Sequence, residues 1–180
     1  MPEIIRSFVA VRMPGNVADE LENFLAEIRP LAKIRWVIRS QFHITLKFLG
    51  ENSREVTEDV KEALIPLKHF EPFTVELSYI GAFPNLSAPK VLWLSGDKGA
   101  SELGNIAKRV NDVLYDSVGL EREAKKFRSH LTLARLRDSS LPENLVRKLG
   151  EVPRLSWVCD ELFLMKSDLK PSGPVYLVML

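Results

Sequence analysis

Gln41–Gly50, QFHITLKFLG, decides how the rest of the chain is read, because Arg128–Leu136, RSHLTLARL, is a second version of it. Both contain His-x-Thr-Leu, and both alternate apolar and polar residues with a period of two, the pattern of a strand with one buried face. In the first copy His43, Thr45 and Lys47 fall on one face and Ile44, Leu46 and Phe48 on the other. In the second, His130 and Thr132 oppose Leu131 and Leu133, and Arg135 alternates onto the face away from His130. A strand rises ~3.3 Å per residue, so the imidazole and hydroxyl of each copy stand roughly 6.6 Å apart at Cα and point the same way. Two such strands brought together offer two imidazoles and two hydroxyls to one small anion.

A single His-x-Thr would carry little weight, since histidine on a strand is usually a hydrogen-bonded structural residue and threonine is a good strand former. The distribution is more telling. The chain has three histidines, and two of them hold the same place in the same short pattern. Packing does not require that duplication. The third, His69, follows a helix beside Phe70 and reads as a structural or surface residue. A zinc site would need three or four protein ligands, and no Cys pair or carboxylate–His pattern accompanies the motifs. A nucleophilic enzyme fits less well, since Cys159 stands outside any motif and no G-x-S-x-G is present.

At 180 residues the chain suits one domain with a substantial core. Lys plus Arg (25) nearly balance Asp plus Glu (24), so any nucleic-acid contact must rest on a local basic patch. The one cysteine, Cys159, cannot form an internal disulfide, which suits a reducing cytoplasm. No apolar run is long enough to span a bilayer, and the N-terminus lacks signal-peptide anatomy. The expected protein is therefore cytoplasmic, with no membrane partner, and monomeric.

Outward from the two motifs, Ile5–Arg12 reads as a strand, and Asn16 with Asp19 as the start of a helix ending before Pro30. Ile34–Ile38 is a short strand, and Asn52 or Ser53 caps a second helix that Pro66 ends or kinks. Phe73–Ile80 and Val91–Ser95 are strands flanking a loop at Gly81–Pro89. Leu103, Ile106, Ala107, Val110 and Leu114 mark a third amphipathic helix stopped by Gly119. Ser140-Leu-Pro-Glu143 has the form of a capping box for a short fourth helix. Leu155–Met165 and Val175–Leu180 are closing strands. Strand, helix, strands, helix, strand recurs in each half, so residues 1–180 are expected to form one α+β domain of two pseudo-symmetric lobes, each with one motif. Antiparallel sheets would meet at a central cleft with helices outside.

With its paired HITL and HLTL, and with RSFVAVRMP, IRWV, HITLKFLGE, IGAFPN, PKVLWLS, FRSHLTLARL and LKPSGPVY spread nearly end to end, the chain resembles the 2H phosphoesterase superfamily. Within it, the chain is most similar to the 2',5' RNA ligase or RNA 2',3'-cyclic phosphodiesterase family of bacteria and archaea. The paired HxTx motifs are the specific part. The resemblance implies a bilobal fold, a metal-free and cofactor-free site, and RNA ending in a 2',3'-cyclic phosphate as substrate, with tRNA-derived ends among the sources. It also implies that His43 gives a proton to the leaving 3'-oxygen and that His130 takes one from water. If an RNA 5'-hydroxyl replaces water, a 2'-5' linkage forms without ATP.

The residue types suit that chemistry independently, although residue type alone does not order the two roles. Histidine can act as acid or base near neutrality, and Thr45 and Thr132 can donate to non-bridging oxygens as their charge grows. Lys47, Lys126 and Arg128 are the candidate phosphate contacts, the last two if the second strand begins early enough to share the His130 face. Phe8, Phe83 and Tyr176 could stack on a base, though core packing is the simpler role for each. The alternatives are a relative acting on another cyclic nucleotide, an RNA 3'-end exonuclease, or an RNA-end binding module without turnover.

Overall fold

The structure, a computed structural model, describes residues 3–137 and 140–180. Its strands are β1 (Ile4–Arg12), β2 (Arg35–Trp36), β3 (His43–Ser53), β4 (His69–Leu77), β5 (Tyr79–Phe83), β6 (Val91–Ser95), β7 (Leu131–Arg135), β8 (Leu155–Glu161), β9 (Phe163–Lys170) and β10 (Gly173–Val178). The helices are α1 (Gly15–Ile28), α2 (Arg54–Leu64), α3 (Ala100–Val118) and α4 (Glu143–Leu149).

The fold is α+β, with two antiparallel sheets and the helices packed outside them, as the motif pattern led us to expect. The larger sheet has eight strands in the order β10-β9-β1-β3-β7-β6-β5, with β2 also paired to β7. The smaller is β4-β8. The two motif strands, β3 and β7, are neighbours at the middle of the larger sheet, and the register joins them through Ile44 opposite Leu131. Both of those side chains are buried to about 1% exposure, so the seam is closed on its core side and open on the other.

Amphipathic helices close the core. Val17, Ala18, Leu21, Leu25 and Ile28 are the buried stripe of α1, and Leu103, Ile106, Ala107, Val110 and Leu114 that of α3, each at the helical spacing that puts apolar side chains on one face. Ser53 caps α2, its hydroxyl oxygen accepting from the Val56 N–H at 3.3 Å. Gly119 ends α3 at φ +77°, a conformation that costs a residue with a Cβ.

Several boundaries differ from the sequence reading for identifiable reasons. Asn16 does not cap α1: the cap is Pro14, two residues earlier, whose carbonyl accepts from the Ala18 N–H at 2.8 Å. The capping box at Ser140 does not form either, because α4 opens after Pro142, whose fixed φ presets the entry. Phe73–Ile80 and Leu155–Met165 each divide between the two sheets, breaking at Ser78 and Leu162. The buried side chains change phase at each corner, from Val75 and Leu77 to Ala82 and from Trp157 and Cys159 to Leu162 and Leu164, and no glycine or proline in either run marks the bend, so each reads as one strand. Gly81 lies inside β5 rather than in a loop. A Cβ there would sit 2.3 Å from the Trp93 ring on β6, so the indole packs directly on the glycine backbone.

Cys159 is buried in β8, and burial pushes its thiol up to about 12, which makes it inert as a nucleophile. Among the described residues no helix is long and apolar enough to cross a membrane.

Candidate active site

The four motif side chains, His43, Thr45, His130 and Thr132, line one cleft of about 620 Å³ on the open side of the seam. Each motif strand contains a register irregularity just past its threonine. On β3, Val9 faces Lys47 and Ala10 faces Thr45, so Leu46 is an extra residue. On β7, Leu92 faces Ala134 and Trp93 faces Thr132, so Leu133 is extra. An inserted residue reverses which face the following side chains occupy. The cleft therefore receives His43, Thr45 and Phe48 from one strand and His130, Thr132 and Arg135 from the other.

Two expectations change as a result. Lys47 leaves the histidine face for the interior, where it is 3% exposed and its Nζ donates to Asn111 Oδ1 and to the Glu121 carbonyl, both at 2.7 Å. Burial lowers its pKa, and Glu123 offsets part of that. Arg135, expected on the opposite face, turns into the cleft instead. Lys126 and Arg128 do not line the cleft. The strand does not begin early enough to place them there, since β7 starts at Leu131, and both sit on an adjoining groove that also reaches His130.

The two imidazoles are held in the same way. His43 Nδ1–H donates to the Gln41 carbonyl at 2.6 Å, and His130 Nδ1–H donates to the Arg128 carbonyl at 2.7 Å. A carbonyl can only accept, so both rings carry the Nδ1 proton and keep Nε2 for the cleft. His43 Nε2 is 3.1 Å from Thr45 Oγ1, whose O–H donates to it when the ring is neutral. Aromatic rings fix the planes: Phe8 lies 4.8 Å and Tyr176 5.2 Å from the His43 ring, and Phe83 meets His130 edge-on at 5.2 Å. Phe8 and Tyr176 belong to a small apolar cluster with Ala10, Phe163 and Met165 on the cleft side of β1. Both rings thus pack against the His43 imidazole while lining the cleft.

The positive charge in the cleft comes from residues that the motif reading did not single out. Arg6, Arg35 and Arg135 line it, and none forms an ion pair within 4 Å among the described residues. Arg35 on β2 stands directly opposite Arg135 on β7, an arrangement of like charges that destabilises a strand pair unless an anion bridges it. The guanidinium fork suits phosphate oxygens. The only trace of this cluster in the sequence is that RSFVAVR, IRWV and HLTLARL each contain an arginine.

Burial, then the positive charge of His130, holds His43 down to about 4, with the Gln41 bond opposing. Burial also lowers His130, with Arg135 and Arg128 adding to it against the Arg128 carbonyl. Both shifts favour the neutral ring in the free protein. For a histidine depressed in the folded state, the unfolded chain binds more protons between the two pKa values. Its stabilising contribution is therefore complete above about 6.5 and is lost as pH falls to about 4. Urea denaturation at pH 7 and pH 4.5 should show a fall of up to about 3 kcal/mol that His43→Asn removes; an equal fall in the variant would place the acid sensitivity elsewhere.

Among the described residues no three His, Cys, Asp or Glu side chains converge on a common point. Known proteins share the fold and much of the sequence. The family model described as the 2'-5' RNA ligase superfamily matches residues 17–171. An RNA 2',3'-cyclic phosphodiesterase of Archaeoglobus fulgidus is 33% identical over 174 residues, covering 96% of each chain. Another, of Aeropyrum pernix, is 38% identical over 138 residues, covering 75% of this chain and 77% of the relative. Among solved structures, TT0787 of Thermus thermophilus superposes with a TM-score of 0.79 at 30% identity, over 98% of this chain and 96% of that one. LigT of E. coli in its apo form gives 0.78 at 23% identity over 99% and 96%. With two HxTx strands side by side in such a sheet and a match running through both, this chain belongs to the 2'-5' RNA ligase superfamily of 2H phosphoesterases.

Proposed function

We propose that the protein opens RNA 2',3'-cyclic phosphate ends to 2'-phosphomonoesters without a metal, and that the same site joins RNA through a 2'-5' linkage without ATP. The observation that carries this reading is the pair of identically tethered imidazoles, each with a threonine beside it, facing one cleft with three guanidiniums that form no ion pair among the described residues. In the proposed reaction water attacks phosphorus, His130 Nε2 takes its proton, and the P–O3' bond breaks as His43 supplies a proton to the 3'-oxygen. Thr45, Thr132 and Arg135 stabilise the charge that builds on the non-bridging oxygens. Since His43 is neutral in the free protein, the phosphodiester anion must draw a proton onto it as it binds.

The duplicated bulges support a related proposal, that the domain consists of two lobes built on one plan, each contributing a His, a Thr and the third residue after that Thr. We also propose that the protein works as a monomer in the cytoplasm, on ends such as those of cleaved tRNA. Its single thiol has no pairing partner, in keeping with a reducing compartment.

The test is incubation of a short RNA ending in a 2',3'-cyclic phosphate with EDTA present and ATP absent, followed by mapping of the phosphate. A 2'-phosphate product at an undiminished rate is expected. Loss of turnover on chelation, restored by a divalent ion, would overturn the metal-independent reading. Release of mononucleotides from the 3' end would point instead to an exonuclease.

A further inference from the structure

A second depression of about 1140 Å³ opens beside the cleft, walled by α3, by β3 and by the segment 122–130. It meets the cleft at Thr45, Phe48, Phe83 and His130, which line both. His43 and Thr132 line the cleft alone. The groove therefore reaches only one of the two imidazoles. In an in-line displacement the nucleophile and the leaving oxygen lie on opposite sides of phosphorus, so the imidazole reached from the groove serves the nucleophile.

We infer that this groove holds the RNA strand whose 5'-hydroxyl acts as the nucleophile, while the strand carrying the cyclic phosphate lies in the arginine-lined cleft. The inference rests on the proposed chemistry and assigns it a second substrate site. The 5'-oxygen attacks phosphorus as its proton passes to His130 Nε2. The P–O3' bond breaks, and the 3'-oxygen takes a proton from His43. The product is a 2'-5' phosphodiester with a free 3'-hydroxyl, and no co-reactant is consumed.

Charge and surface chemistry match a single-stranded RNA. Lys125, Lys126 and Arg128 line the groove and form no ion pair among the described residues, whereas Lys108 and Arg122 are taken up by Asp112. The acid on the β3 side, Glu123, accepts from the Phe48 N–H at 3.3 Å. Phe48 stands 61% exposed at the junction, where a base can stack on its ring. Gly104 on α3 keeps the groove open. Glycine weakens a helix interior, yet a Cβ at 104 would meet only Phe127, at an ordinary 3.7 Å. A methyl group is therefore tolerated at this position, whereas a large side chain there would fill the groove.

The experiment compares wild type with Gly104→Ala, Gly104→Trp and Asn105→Glu. Two assays are run: hydrolysis of a nucleoside 2',3'-cyclic phosphate, and joining of a cyclic-phosphate RNA to a 5'-hydroxyl RNA. Gly104→Trp fills the groove and Asn105→Glu adds a repelling charge. Each should lower joining by about tenfold or more, the effect of losing one stacked nucleotide, while hydrolysis stays at the wild-type rate. Gly104→Ala, which adds only the tolerated Cβ, should leave both unchanged and shows that the helix itself is not at issue. Joining that survives Gly104→Trp and Asn105→Glu overturns the inference, as does an equal fall in both assays. So does slower hydrolysis of an oligonucleotide than of a mononucleotide cyclic phosphate in Gly104→Trp, which would put the substrate strand in the groove. Hydrolysis without joining in the wild type removes the second site and leaves the phosphodiesterase reading standing; no hydrolysis by the wild type removes both.

Discussion

Replacing His43 or His130 with alanine should slow opening of the cyclic phosphate by ~10²–10⁴, the usual value of one positioned proton transfer. The double substitution should cost little more than either single one, because the two imidazoles act in a single displacement. The pH profile separates this from a structural effect. The reaction needs one ring neutral and one protonated, so the rate follows a bell, and each single variant should lose one limb. Burial lowers both rings in the free protein, His43 to about 4. The bell in kcat/KM, which reports the free protein, should therefore be centred below pH 6.5. Bound phosphate restores the charge on His43 and should move the bell in kcat toward neutrality. Thr45→Val and Thr132→Val keep the strand shape and remove a hydroxyl, so they should lower the rate and keep both limbs. A double histidine variant with wild-type turnover would sink the catalytic assignment. So would single variants whose circular dichroism shows an unfolded chain.

The second large effect concerns two basic residues whose faces the bulges exchange. Arg135→Ala should lower kcat/KM by ~10²–10³, the loss typical of one preorganised donor to developing oxyanion charge. Arg135→Lys should recover only part of it, because a point charge replaces the fork. Lys47→Met should leave the kinetics at wild type and lower stability by about 1–3 kcal/mol, since Asn111 Oδ1 and the Glu121 carbonyl both lose their charged donor. Steady-state kinetics and urea denaturation on the three variants decide the matter. If Lys47→Met impairs turnover and Arg135→Ala does not, the strict alternation of the motif strands holds and the bulged register is wrong.

Local chemistry was legible in the chain itself. Period-two alternation marked His43–Phe48 and Leu131–Leu133 as strands, and apolar residues at helical spacing marked α3 to its glycine stop. Ser53 was readable as a cap from its place before an apolar stripe, and the repeated His-x-Thr named the four motif residues that share the cleft. Each of these features depends on neighbours within a few residues.

The tertiary structure decided what depends on partners far along the chain. A bulge exists only in relation to the strand beside it, so Leu46 and Leu133 look like ordinary alternating residues until β1 and β6 supply the register. That relation sends Lys47 inward and brings Arg135 to the cleft. Arg6, Arg35 and Arg135 are scattered along the chain and come to line one cleft only where β1, β2 and β7 enter a common sheet. The corners at Ser78 and Leu162 escaped the pattern because no glycine or proline marks them, and the change there in which alternate side chains are buried follows only from the two sheets that the chain joins. Sequence periodicity reports which side chains avoid water, and the fold alone determines which of the avoided and exposed faces meet.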